Sequence, residues 1–242
     1  MKKFIQKELL DYKLLLRSIP SMVVTFFIVS VILMNLLANK EITTNIDWLV
    51  IDCGLLISWV TFLTMDMVTK HFGCKASIRL SFLAIVINLL VCLILFGISL
   101  LPGNWSAYYT FNNTAINIAL NNTFGGTWFV VVGSMIAFGC SAIVNSVLNT
   151  FIGRRTNNTY KGYVIRTYIS TLVGQFVDNL VFALLISHTF FGWSFLQCCI
   201  CSLTGCLLEF IGEAAFTPFS YKICNQWEID NVGKDYIERC IK

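Results

Sequence analysis

Arg166-Thr167-Tyr168-Ile169-Ser170-Thr171-Leu172-Val173-Gly174-Gln175-Phe176-Val177-Asp178-Asn179 opens a run, residues 165–188, that is long and apolar enough to cross a bilayer. Polar residues nevertheless recur in it at steps of three and four. Arg166, Thr167, Ser170, Thr171, Gly174, Gln175 and Asp178 share one helical face, while Leu172, Val173, Phe176, Val177, Leu180 and Val181 fill the other. At about 1.5 Å per residue, Asp178 lies about 18 Å along the axis from Arg166, near mid-bilayer. A carboxylate at that depth costs roughly 2.5 to 3.5 kcal/mol on insertion scales, so it faces a bundle interior or a watery cavity.

The rest of the chain repeats the theme. Of its 242 residues 57% are hydrophobic and 12% charged, far from the quarter-charged average of soluble domains. Apolar runs at about 20–38, 48–66, 78–101, 128–152, 165–188 and 194–221 predict an all-α membrane protein, a bundle of six transmembrane helices forming one domain. Continuous stretches such as Leu89 to Leu95 exclude the alternating pattern of a β-barrel. Residues 1–19 read as an amphipathic interfacial segment rather than a cleaved leader, 102–127 as a long outer loop with one short surface helix, and 222–242 as a tail. Of the 17 Lys and Arg, all but Lys40 fall on one side of this topology, which predicts cytoplasmic N- and C-termini in an inner or plasma membrane. The net charge of +4 is this topology signal, and no nucleic-acid partner is expected.

The fourth run carries Ser134, Ser141, Asn145 and Asn149, and the sixth carries Ser202, Gly205, Glu209, Gly212, Glu213 and Thr217, followed by Pro218, where a bend is expected. Small and hydroxylated residues at this spacing also serve plain helix packing. The carboxylates Asp178 and Glu213 fit packing poorly, because Asn or Gln would supply a structural hydrogen bond at lower cost. Asp52 and Asp66 are expected nearer the interfaces. The ten cysteines are expected inside spans or on the reducing face without disulfides, and Cys198-Cys199-Ile200-Cys201 with Cys206 lacks the His of a metal site. No cofactor is expected. Gly133, Ala137 and Cys140 form a small-residue face without evident partners in the chain, which predicts two copies associating in the bilayer.

The strings Thr64-Met65-Asp66-Met67-Val68-Thr69-Lys70-His71 with Arg79, Arg166 through Asn179 with Phe182, and Glu213 through Pro218 with Tyr221 resemble the queuosine precursor transporter family, also called YhhQ or VUT. The resemblance implies a six-helix importer of 7-deazaguanine precursors (7-cyano-7-deazaguanine, 7-aminomethyl-7-deazaguanine or queuine) for tRNA modification. Carried over by position, it marks Asp66, Arg79, Arg166, Ser170, Gln175, Asp178 and Glu213; Asn145 and Glu209 complete the expected substrate site. Lys70, Asn145 and Glu209 depart from the family pattern, the last changing the charge balance. The chemistry agrees: a deazaguanine edge presents two donors beside a carbonyl, which a carboxylate and an amide can read, and its ring suits a slot among Phe138, Phe176, Phe182 and Phe210.

Enzyme classes fit less well, since Asp178 lacks the Gly-x-Gly-Asp context of an intramembrane aspartyl protease and no Walker, zincin or nucleophile-elbow motif occurs. The alternatives kept are the substrate-capture subunit of an energy-coupling-factor vitamin importer and an interaction protein without a saturable ligand. The first helix, at Ser30 to Met34, has no Ala-x-x-x-Ala docking string.

Overall fold

A computed structural model describes residues 2–42, 49–126 and 128–240. The helices are α1 (Lys2–Ser18), α2 (Ser21–Leu37), α3 (Leu55–Phe72), α4 (Cys74–Ser99), α5 (Ser106–Phe111), α6 (Thr114–Asn121), α7 (Trp128–Gly153), α8 (Tyr160–Phe182), α9 (Thr189–Phe191), α10 (Phe195–Ile229) and α11 (Lys234–Cys240). Two-residue strands, β1 (Glu41–Ile42) and β2 (Ile51–Asp52), pair antiparallel, and π-helical turns cover Asn122–Gly126 and Ala183–His188. The outer loop thus holds two short α-helices where one was expected. Residue 48, the expected start of the second span, and Lys242 lie outside the described residues.

Among the described residues four stretches are long and apolar enough to cross a bilayer: Cys74–Ser99, Thr114–Gly153, Tyr160–Phe191 and Phe195–Ile229. A fifth appears if Gln6–Ser18 and Ser21–Leu37, which meet at 102°, count together. The protein is an all-α membrane protein. The helix expected at 48–66 is shifted, because β2 occupies Ile51–Asp52 and the helix begins at Leu55. Asp52 Oδ1 there accepts from the backbone N–H of Gly54 (2.7 Å) and Leu55 (3.3 Å), quenching donors that an unstarted helix leaves open. Cys53, expected in a span, therefore sits in a connection.

α3 is too polar for a lipid-facing span, and its position explains why. It packs against α2, α4, α7, α8 and α10, and Thr61 through Thr69 are all buried. The central helix needs neighbours rather than lipid, so its polar residues find partners. At its end Gly73 takes φ 83°, open to glycine and strained for other residues, which reverses the chain into α4.

The core is aliphatic and aromatic around Phe27, Val31, Phe62, Met65, Leu80 and Phe138. Gly133 and Ala137, expected on a face open to a second copy, lie inside the fold: a Cβ on Gly133 would collide with Ile186, and Ala137 is buried. Only Cys140 of that set is exposed. α10 runs without interruption through Pro218 to Ile229, so the expected tail from 222 begins inside the helix. Proline at 218 leaves the Ala214 carbonyl without its helical donor, and the Tyr168 hydroxyl lies 3.5 Å from that oxygen.

Candidate functional site

At the end of the bundle opposite the termini, a cavity of about 310 Å³ opens between the β hairpin, α8, its π-helical extension and α10. Its walls include Asn39, Asp52, Phe129, Phe182, Phe191 and Trp193. A narrower space of about 30 Å³ shares Asp52, Asn179 and Phe182 with it and reaches Ser58, Asp178 and Glu209. The volume lies at the low end of small-molecule pockets. The π-helical turn at Ala183–His188 displaces the α8 register at the rim and puts Ala183 and Ser187 into the wall.

The floor is built by four helices. Glu209 on α10 is buried and accepts from the Ser58 hydroxyl of α3 and from Asn179 Nδ2 of α8 at 2.9 Å. Asp178 on α8 accepts from Ser141 Oγ of α7 at 3.1 Å. Gly205 brings α10 against Asn179, whose amide nitrogen would lie 3.1 Å from an added Cβ.

One turn deeper the groups are sealed. Asp66 accepts from Asn145 Nδ2 at 2.8 Å, and Thr171 Oγ1 lies 3.3 Å from Asp66 Oδ2 and 2.6 Å from Glu213 Oε1. Asp66, Asn145, Thr171, Gln175 and Glu213 are fully buried. Glu213 Oε2, Asn145 Oδ1 and both amide atoms of Gln175 have no partner among the described residues. Gly174 makes this layer compact, because its Cα approaches Asn145 and Phe62 so closely that a Cβ would lie 3.0 Å from each.

The next layer closes the bundle toward the termini. Arg166 donates from Nε to Asn149 Oδ1 at 2.8 Å and also from Nη2, Asn149 Nδ2 donates to Ser170 Oγ at 3.2 Å, and Gly153 leaves room for the guanidinium. Below it the Tyr163 and Ser220 hydroxyls bond at 2.9 Å. Lys70 reaches Glu228 at 3.0 Å and Asn225 at 3.2 Å, with its ammonium over the Tyr163 and Tyr221 rings. Arg79, marked by the family resemblance, pairs with Glu8 of α1 and lies 3.5 Å from the Tyr236 hydroxyl of α11. Burial raises that phenol above its ordinary range, with Arg79 opposing, so Tyr236 stays neutral and its oxygen accepts.

The residues expected from sequence therefore separate by depth. Asp178 and Glu209 line the narrow space beneath the cavity; Asp66, Asn145, Gln175 and Glu213 form the sealed layer; Arg166 and Ser170 belong to the closure. Successive polar residues of α7 (Ser141, Asn145, Asn149) contact one layer each. Of the aromatic candidates only Phe182 meets the cavity, since Phe138 packs on Phe27 and Phe210 on Tyr168. Sequence reasoning missed Ser58 and Asn179. Ser58 lies eight residues before Asp66 on the same face of α3, and that spacing was the available signal.

The family described as "Putative vitamin uptake transporter" matches residues 52–223. No curated protein and no solved structure matches the chain. The matched region runs from the Asp52 cap to α10 and contains every carboxylate of the cavity and the sealed layer.

Proposed function

As the chain belongs to this vitamin uptake transporter family, we propose that it imports a queuosine precursor: 7-cyano-7-deazaguanine, 7-aminomethyl-7-deazaguanine or queuine. The observation that carries this reading is the cavity floor, where the Glu209 carboxylate, the Asn179 amide and the Phe182 ring meet. A deazaguanine edge offers a ring N–H beside an exocyclic amine, two donors for one carboxylate, and a carbonyl that Asn179 Nδ2 can serve. Asn179 and Ser58 hold Glu209 in place before the ligand enters, and on entry the ligand's donors replace theirs. Asp178 stands one helical step from Asn179 as a second acceptor. Phe182, with Phe129, Phe191 and Trp193 around the mouth, gives a flat heterocycle apolar surfaces to lie against. Asp66, Asn145, Gln175 and Glu213 support the site from below, and Arg166 with Ser170 closes it.

In this reading α2, α3, α4, α7, α8 and α10 are six spans of an inner or plasma membrane, and the layer around Lys70 faces the cytoplasm. Four of the Lys and Arg flanking α7 and α8 at that end (Arg154, Arg155, Lys161 and Arg166) support the orientation. Because the transported molecule leaves unchanged, no chemical step is assigned.

The test is equilibrium binding of the three precursors and guanine to purified protein, followed by uptake in cells unable to make the precursor. Saturable binding of at least one 7-deazaguanine, with guanine weaker, is expected. Uptake should persist in a host stripped of energy-coupling ATPase modules; loss of uptake there would favour the capture-subunit alternative, and absence of saturable binding would favour an interaction protein.

A further inference from the structure

Asp66 and Glu213 share Thr171 in the sealed layer, where three side-chain donors, those of Asn145, Thr167 and Thr171, face four carboxylate oxygens and Glu213 Oε2 has no partner among the described residues. Asn145 Nδ2 supplies one hydrogen, to Asp66 Oδ1. The Thr171 hydroxyl has a single hydrogen but stands within bonding distance of both carboxyls, 2.6 Å from Glu213 Oε1 and 3.3 Å from Asp66 Oδ2. It donates to one only. The other contact is oxygen against oxygen unless that carboxyl carries a proton and donates to Thr171 in turn. The buried amides alongside add a second observation: Asn145 bonds Asp66 through its nitrogen and leaves Oδ1 unpaired, and Gln175, one turn along α8 from Thr171, has neither amide atom paired.

The charges around the pair leave the same deficit. Arg166 and Tyr163 face it from α8, and Glu209 and Cys206 from α10. α7 brings the neutral Asn145, and α3 brings Asp66 itself. Arg166 is the one cation in this set, already bonded to Asn149, against three carboxyls. Neither Asp66 nor Glu213 lines the cavities above, so the layer suits an occupant that needs no volume of its own. Glu209 does line the narrow space that leads down from the cavity and sits four residues, one helical turn, from Glu213.

We propose that Asp66, Thr171 and Glu213 form a proton-binding site, loaded from the cavity by way of Glu209, and that one proton enters with each substrate molecule. The coupling rests on the import reading above, whereas the bound proton does not. Thr171 is the switch point: its hydroxyl can turn from one carboxyl to the other as the proton moves between them.

Two measurements on the reconstituted full-length protein separate these claims. Infrared spectroscopy at pH 7 should show a protonated carboxyl band that weakens in Asp66→Asn and in Glu213→Gln. In Thr171→Val, which keeps both carboxyls and is nearly isosteric, the band should shift. A wild-type protein without such a band, or one whose band is the same in all three variants, overturns the site whatever the substrate. In liposomes, an inward gradient of about one pH unit should support up to about tenfold accumulation of 7-cyano-7-deazaguanine at one proton per substrate. Glu213→Gln should lose that accumulation while still exchanging substrate across the membrane. Accumulation indifferent to the gradient, or driven equally by sodium, overturns the coupling and leaves the import reading standing. Absence of exchange for every 7-deazaguanine base sinks the import reading and the coupling together, and the infrared band still decides the proton site. Should Glu213→Gln fail to fold, Thr171→Val supplies both readouts.

Discussion

Around Asn179 and Glu209, polar side chains surround an opening that leads into the bundle; at the other end the opening of about 250 Å³ beside Lys70, His71 and Glu228 does not extend to Arg166, which is bonded to Asn149. Both ends draw on α3, α8 and α10, so the contrast does not come from different helices. It comes from what fills the gaps. Near the termini long side chains with aromatic neighbours plug the bundle: Lys70 under two tyrosines, His71 on the Val232 carbonyl, and Phe72 against Trp227 and Tyr236. At the other end a pair of two-residue strands and a π-helical turn replace regular helix. A bundle open at one end and bonded shut at the other has the form expected of one state of an alternating-access carrier.

The largest expected effect tests the open end. Glu209→Gln keeps the shape but points an amide N–H at Asn179 Nδ2 and at the donors of the ligand. An unmet charged hydrogen bond costs about 1.5 to 3 kcal/mol, so affinity for the preferred precursor should fall at least about tenfold. Asp178→Asn should cost less, because Ser141 can donate to the amide oxygen as it does to the acid. Isothermal titration checks both, and equal affinity in wild type and both variants would remove the cavity floor from the site.

At the closed end, Lys70→Met removes an ammonium whose side chain is 3% exposed while leaving Glu228, 43% exposed, to find water. The loss should stay near about 1 to 2 kcal/mol, below that of a fully buried pair. Cys224, fully buried in this layer, should then react faster with a thiol reagent; an unchanged labelling rate would mean that Lys70 does not hold the closure. Between the two ends, Gln175→Leu removes two unpaired amide atoms of a fully buried side chain. Thermal stability should rise by up to about 1 to 3 kcal/mol while transport falls; a stabilised variant with full transport would make Gln175 dispensable. The smallest effect is expected from Gly205→Ala, whose methyl would press on Asn179 and weaken binding a few-fold without loss of fold.

The same contrast marks how far sequence could reach. The buried face of α8 was readable from its steps of three and four, since Thr167, Ser170, Thr171, Gly174 and Gln175 all turn inward. The polar stripe of α10 was equally plain. What the stripe could not reveal was depth: Glu209 and Glu213 share a face, and only their partners on other helices, Ser58 with Asn179 against Thr171, distinguish cavity from sealed layer. The start of α3 was misread because the apolar run begins before the helix does, although Asp52 ahead of Gly54 was a usable capping signal. The Gly133 face was misjudged for a similar reason. A small residue marks close approach without saying to which helix, and here the neighbour is Ile186 of the same chain.

α10 holds 35 residues, about 52 Å at about 1.5 Å per residue, against an apolar bilayer core of about 30 Å. Glu209 and Glu213 sit near its middle and Trp227 near its C-terminal end, so any tilt of the helix would move Trp227 farther than the carboxylates. A rotation of a few degrees about the membrane centre, too slight to resolve at the carboxylates, sweeps the far tip through a larger arc. Because α11 and its Arg239–Asp11 bond tie that tip to α1, a tilt would carry α1 along with it, and a fluorophore pair on α11 and α4 would read the tilt as a change in distance.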